Sequence, residues 1–165
     1  MNSIPLRRSG IALMPVNLAT ADGAEMKTIP FIVDTGATMT TINKEWLLAD
    51  LGYTEAWIQQ NKILLPEEKK PKMANGKRAD VYKIPITRIN IGGYEIQHND
   101  CILSSDTVQI SFLLGLDILR YFKFSFDFDT TEGAPHGRMY YAFRESCVTP
   151  FTKLGEPFAY QLNEK

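Results

Sequence analysis

"PFIVDTGATMTTI", residues 30–42, carries an apolar run straight into a carboxylate, and small turn-forming residues follow at once. Pro30 to Val33 read as the end of a strand, and Asp34 stands where that strand should stop. A carboxylate beside an apolar strand carries a desolvation cost unless a hydrogen bond or a charge offsets it. Asp34 is therefore either a solvated strand end or a group whose surroundings serve a purpose. Gly36 permits a tight turn and close backbone approach, and its N–H can donate to the Asp34 carboxylate. Ala37 and Thr38 are small enough to leave space above the acid.

Strand signals dominate the rest of the chain. "GIALMPVNLA" and "EMKTIPFIVD" flank "TADGA", whose Asp22-Gly23 pair predicts a hairpin turn. In "VYKIPITRINI", Ile84, Ile86 and Thr87 surround Pro85, which predicts an edge strand or a bulge. Gly92-Gly93 in "INIGGYEI" marks a second hairpin. "FKFSFDFD" alternates with period two, so Phe122, Phe124, Phe126 and Phe128 should share one face. Lys123, Ser125, Asp127 and Asp129 should share the other, solvated one. "RMYYAF" returns after a loop and makes a third hairpin.

Helix signals are short. Asn43 is placed to cap "KEWLLADLG", with Gly52 ending it, and Thr54 to cap "EAWIQQNK". "GLDILRYF" predicts one further short helix. Trp46 and Trp57 read as core anchors, and "PEEKKPK" as a solvated loop. The expected organisation is one domain over residues 1–165, with a core of about 10–145 and an irregular C-terminal extension, 146–165. "MNSIPLRRSGIALMPVNLA" reads as an N-terminal tail leading into a strand, because Pro15 and Asn17 interrupt its apolar patch.

Composition narrows the function classes. Of 165 residues, 44% are hydrophobic, which predicts a packed domain rather than disorder. Eighteen basic and nineteen acidic residues leave a formal net charge of −1, so neither nucleic acid nor an anionic membrane is an expected partner. No apolar run approaches the ~20 residues that span a bilayer. Cys101 and Cys147 are too few for a disulfide-stapled secreted scaffold, and a reduced, cytoplasmic setting is expected. His98 and His136 lack the close pairing of a zinc site, so no metal or cofactor is expected. No Gly-x-Ser-x-Gly elbow and no phosphate-binding Gly-rich loop occur.

Three motifs together carry a resemblance. "FIVDTGATMTTI" resembles the Asp-Thr-Gly catalytic loop of the retropepsin-like aspartic proteases. "FLLGLDIL", residues 112–119, is similar to that family's second core motif, in which a strand ends in Gly and a short helix follows. "MANGKRADVYKI" resembles its flap, with Ala74, Asn75 and Gly76 at a polar, bendable hairpin tip. The motifs occur in the family's order over residues 30–119. The sequence departs from it in a long interval before the flap and in a flap tip without a glycine cluster.

The resemblance implies an all-β fold, a closed β-barrel of the retropepsin-like acid protease type with short helices and a flap hairpin. It implies an aspartic endopeptidase acting on peptide or protein substrates. Asp34, Thr35 and Gly36 would form the catalytic loop, with Ala37, Thr38, Ala74, Asn75 and Gly76 against the substrate. Gly115 would allow a close strand crossing, and Asp117 would be structural. Such chemistry uses two carboxylates sharing one proton. This chain has one Asp-Thr-Gly, so the second would come from a homodimer related by a two-fold axis. Thr35, the termini and the strands around "FKFSFDFD" or "RMYYAF" would form the seam. The alternative on the same fold is a peptide- or protein-binding module without catalysis.

Overall fold

Hydrophobic alternation builds the centre of the molecule. In the computed structural model, which describes residues 2–7, 11–86, 88–97, 102–128, 137–144 and 151–153, β2 (Leu13–Ala19) and β3 (Met26–Val33) form the hairpin predicted around Asp22-Gly23. Their register runs from Leu13 opposite Ile32 to Ala19 opposite Met26. Gly23 takes φ +72°, where a side chain is disfavoured. Met14, Val16, Leu18, Ile29 and Phe31 point inward and are fully buried. His98, Cys101, Asp129, His136 and Cys147 lie outside the described residues, as does Thr87.

The other strands are β1 (Asn2–Pro5), β4 (Ile63–Leu64), β5 (Tyr82–Ile84), β6 (Arg88–Ile91), β7 (Tyr94–Gln97) and β8 (Ile102–Ser104). β9 (Leu113–Leu114), β10 (Phe122–Asp127), β11 (Arg138–Phe143) and β12 (Phe151–Lys153) complete the set. A six-stranded sheet has the order β12-β7-β6-β2-β3-β9, and two three-stranded sheets have the orders β1-β11-β10 and β4-β5-β8. Pro85 separates β5 from β6, and among the described residues the expected edge strand is not found: β5 lies between β4 and β8, and β6 between β2 and β7. Gly92 and Gly93, both at positive φ, turn β6 into β7 as expected.

Among the described residues, three short α-helices and one 3-10 turn, Glu67–Lys69 within the segment expected as a loop, interrupt the strands. α1 (Lys44–Ala49) is capped by the Asn43 side chain, which accepts from the Glu45 N–H. α2 (Glu55–Asn61) is capped by Thr54, whose hydroxyl accepts from Trp57. α3 (Leu116–Leu119) follows β9 directly. Among the described residues no helix is long and apolar enough to cross a membrane. Trp46 is half-buried and meets Phe112 edge-on, at 5.1 Å between centroids.

Three expectations are corrected. The barrel is not closed: the fold is all-β, but it is a half-barrel. Its six-stranded sheet is open, with β12 and β9 at its two edges, and β9 has only two residues before Gly115 turns into α3. Toward the β4-β5-β8 sheet, among the described residues, only single bridges from Thr41, to Leu103 and to Leu113, continue the hydrogen bonding. One residue on each side cannot extend a ladder. Second, the N-terminus is not merely a tail: β1 pairs with β11, and Ile4 and Leu6 are buried in the main core. Third, the C-terminal extension contributes a strand, since β12 pairs antiparallel with β7.

Candidate active site

Asp34 sits one residue past β3, and its position is set by the backbone on both sides. Its N–H donates to the Leu114 carbonyl (3.1 Å), continuing the parallel pairing of Val33 with Leu114. The Gly36 N–H donates to Asp34 Oδ1 at 2.9 Å, and Ala37 N–H returns to the Asp34 carbonyl at 3.2 Å. This is an Asx-type turn. A Cβ on Gly36 would stand 3.2 Å from Asp34 Oδ1, so a side chain there would crowd the carboxylate itself. Asp34 is partly exposed, and Thr35 and Thr38 are exposed beside it.

The second motif threads the first. Leu116 N–H donates to Ala37 O (2.9 Å) and Asp117 N–H to Thr38 O (3.2 Å), while Thr41 N–H donates to Leu113 O (2.9 Å). Gly115 is the point of closest passage. A Cβ added there would meet the Met39 carbonyl carbon at 2.6 Å and the Ala37 oxygen at 2.9 Å. Both are backbone atoms and cannot swing aside. Asp117 is buried, and its Oδ1 accepts from the Thr40 N–H (3.0 Å), the Thr40 hydroxyl (2.8 Å) and the Ile118 N–H (3.0 Å). Thr40 Oγ1 in turn accepts from Gly115 N–H at 3.1 Å. Asp34 and Asp117 thus differ in kind, one partly open to solvent and the other committed to fastening the crossing.

The Ala74-Asn75-Gly76 segment forms the expected tip. Gly76 N–H donates to Met73 O (2.9 Å), Lys77 N–H to Asn75 Oδ1 (2.9 Å), and Met73 N–H to Lys77 O (2.8 Å). Gly76 has φ +79°, and Lys72 bridges Arg78 below it. Ala74, Asn75 and Gly76 are all exposed. At the base of this hairpin, Ala79 and Val81 form a small buried cluster with Leu103, against which Met73 and Met39 pack. Met39 belongs to the loop that carries Asp34, so the hairpin stem and that loop share apolar contacts.

The family described as "gag-polyprotein putative aspartyl protease" matches residues 23–121, more than half of the chain. The chain belongs to this retropepsin-like aspartyl protease family. The aspartyl protease match runs from the β2–β3 turn through α3 and encloses all three motifs. The fold is also similar to a crystal structure of a retropepsin-like aspartic protease from Rickettsia conorii, with a TM-score of 0.51 and 21% identity. That likeness covers 85% of this chain and 91% of the other. No curated protein matches the chain significantly.

Two features of this family member escape the sequence patterns. Thr40 is buried between Gly115 and Asp117, and its only signal in the sequence is a threonine close behind Asp-Thr-Gly. The run Ser104-Ser105-Asp106-Thr107 is rich in side chains that bond to nearby backbone. That turn chemistry marks it, but nothing local says what the run would hold.

Proposed function

We propose that the protein is an aspartic endopeptidase that hydrolyses peptide bonds as a homodimer. The observation that carries this reading is the threading of Gly115 through the Asp34 loop, which holds a partly exposed carboxylate on a turn of small residues. In a two-fold dimer, Asp34 of each copy would face its mate. One carboxylate, ionised, would take a proton from water, and the other, protonated, would polarise the scissile carbonyl. Thr35 would reach across the seam, and the 72–78 hairpin would cover the bound peptide through Ala74, Asn75 and Gly76. Ala37 and Thr38 would line the floor beside the acid.

Between the two strands that could form the seam, the sheet order favours one. β11 is paired on both sides, by β1 and by β10, whereas β10 is an outer edge among the described residues. Phe126 near its end and Phe128 one residue past it are 45% and 62% exposed and stack with centroids 5.8 Å apart. An exposed edge carrying apolar side chains is suited to pair with its own copy. Leu116, 45% exposed where α3 meets the Asp34 loop, adds apolar surface near the acid.

The test is Asp34→Asn, assayed with a peptide library from acidic to neutral pH, with and without a statine-type inhibitor. The variant is expected to lose cleavage and keep the wild-type oligomeric state. Cleavage retained by a clean preparation of the variant would refute the assignment.

A further inference from the structure

The loop after β8, residues 105–108, takes no part in the Asp34 turn, yet it grips the hairpin. Thr107 N–H (3.2 Å) and Val108 N–H (3.0 Å) both donate to Ser105 Oγ, which closes the loop on itself. The same hydroxyl donates to the Asp80 carbonyl at 2.6 Å. Thr107 Oγ1 reaches the Asp80 carboxylate at 3.3 Å. Between these contacts, Asp106 Oδ1 accepts from Tyr82 OH (2.7 Å) and Lys44 Nζ (2.6 Å). Its Oδ2 accepts from Gln59 Nε2 (3.3 Å) and Lys62 Nζ (3.4 Å). Ser104 Oγ donates to Ile42 O at 2.9 Å.

Asp80 and Tyr82 are where the hairpin re-enters the sheet, and Ile42 and Lys44 are where the Asp34 loop enters α1. One short loop therefore ties the exit of the hairpin to the exit of the acidic loop. Among the described residues the 74–76 turn is closed by its own hydrogen bonds, while Met73 packs on the buried cluster at the hairpin's base, so the position of the tip depends on how that base is fastened. A lone surface ion pair contributes little to stability. Asp106 differs because four donors from three elements and a loop converge on it, and Lys44 and Lys62 are only 19% and 20% exposed. Burial alone would raise its carboxyl, but hydrogen bonds from Lys44, Tyr82 and Gln59 outweigh it and hold the group well below the usual carboxylate range.

We infer that the Ser105-Asp106-Thr107 loop anchors the 72–78 hairpin at its working position beside the Asp34 loop, with Ser105 and Asp106 as positioning residues for peptide binding. The peptide-binding half of this inference rests on the protease reading. The anchoring half does not.

The test uses the full chain with Asp34 intact, comparing wild type with Asp106→Ala, Asp106→Asn and Ser105→Ala. Amide hydrogen exchange is read over residues 72–82 against β2 and β3 as an internal reference. Asp106→Ala is expected to speed exchange in the hairpin by about tenfold with the reference unchanged, and Asp106→Asn less, since it keeps an acceptor for Tyr82. On a peptide substrate, KM should rise about tenfold while kcat stays within about threefold. Hairpin exchange unchanged in all three variants, or an equal rise in hairpin and reference, would overturn the anchor. A fall in kcat at constant KM would overturn its positioning role. If wild type cleaves no peptide, the protease reading fails by itself, and the exchange comparison still decides the anchor.

Discussion

At the scale of single residues, the site depends on what Gly115 lacks and what Thr40 supplies. Gly115→Ala would drive a Cβ to 2.6 Å from the Met39 carbonyl carbon. Overpacking against immobile backbone costs about 1–3 kcal/mol, and denaturant melts are expected to show a loss of that order. Unchanged stability would mean that the two strands do not cross as described. Thr40→Val removes a donor from Asp117 Oδ1 and the acceptor for Gly115 N–H, both buried. The expected loss is about 1–3 kcal/mol, the usual cost of stranding a buried polar group. Thr40→Ser should restore most of it. The sequence announced Asp34, Gly36 and Gly115 through a local pattern. It did not announce Thr40, whose partners lie more than seventy residues away.

At the scale of elements, caps and turns were legible and the fastening between elements was not. Asn43, Thr54, Gly23 and the Gly92-Gly93 pair act within a few residues of where they stand, so each was readable in isolation. Asp106 gathers partners from α1, α2 and β5, and no local pattern encodes that meeting. The linkage has a definite sign. A carboxyl held below its ordinary range adds stability in full above that range and loses it as pH falls through the depressed value. The stability gap between wild type and Asp106→Asn should therefore be widest at pH 7 and narrower by about pH 3, below the ordinary carboxylate value. Thermal melts at the two pH values check this, and an equal gap would contradict it. At the hairpin tip, Gly76→Ala forces a side chain into φ +79°, a strain of about 1–2 kcal/mol that falls on an exposed turn. Peptide binding should weaken more than melting temperature falls. The reverse outcome would count against a substrate-covering role.

At the scale of the whole molecule, the proposed protease chemistry would make activity a property of assembly, because this sequence carries one Asp-Thr-Gly. Specific activity should fall on dilution, in step with dimer dissociation followed by sedimentation. Phe126→Asp places a charge on the exposed β10 edge and is expected to weaken association and activity together while leaving the monomer folded. A monodisperse, fully active monomer would remove the basis for pairing Asp34 with its copy. Burial along β10 supports this choice of surface. Phe122 is buried, Phe124 half-buried, and Phe126 and Phe128 exposed, so the apolar face of the strand runs past the edge of its own core.

What the sequence determined alone was everything with a short physical range: the alternation of the strands, the hairpin turns, the helix caps, and the acidic loop with its small neighbours. These follow from steric and hydrogen-bonding preferences within a few residues. Only the tertiary structure decided that the barrel stays open, that residues 2–5 and 151–153 join sheets, and that Thr40 and Asp106 fasten distant segments. Sheet closure depends on which edges meet, and a buried polar side chain finds its partners only after the chain has packed. Neither quantity has a local signature.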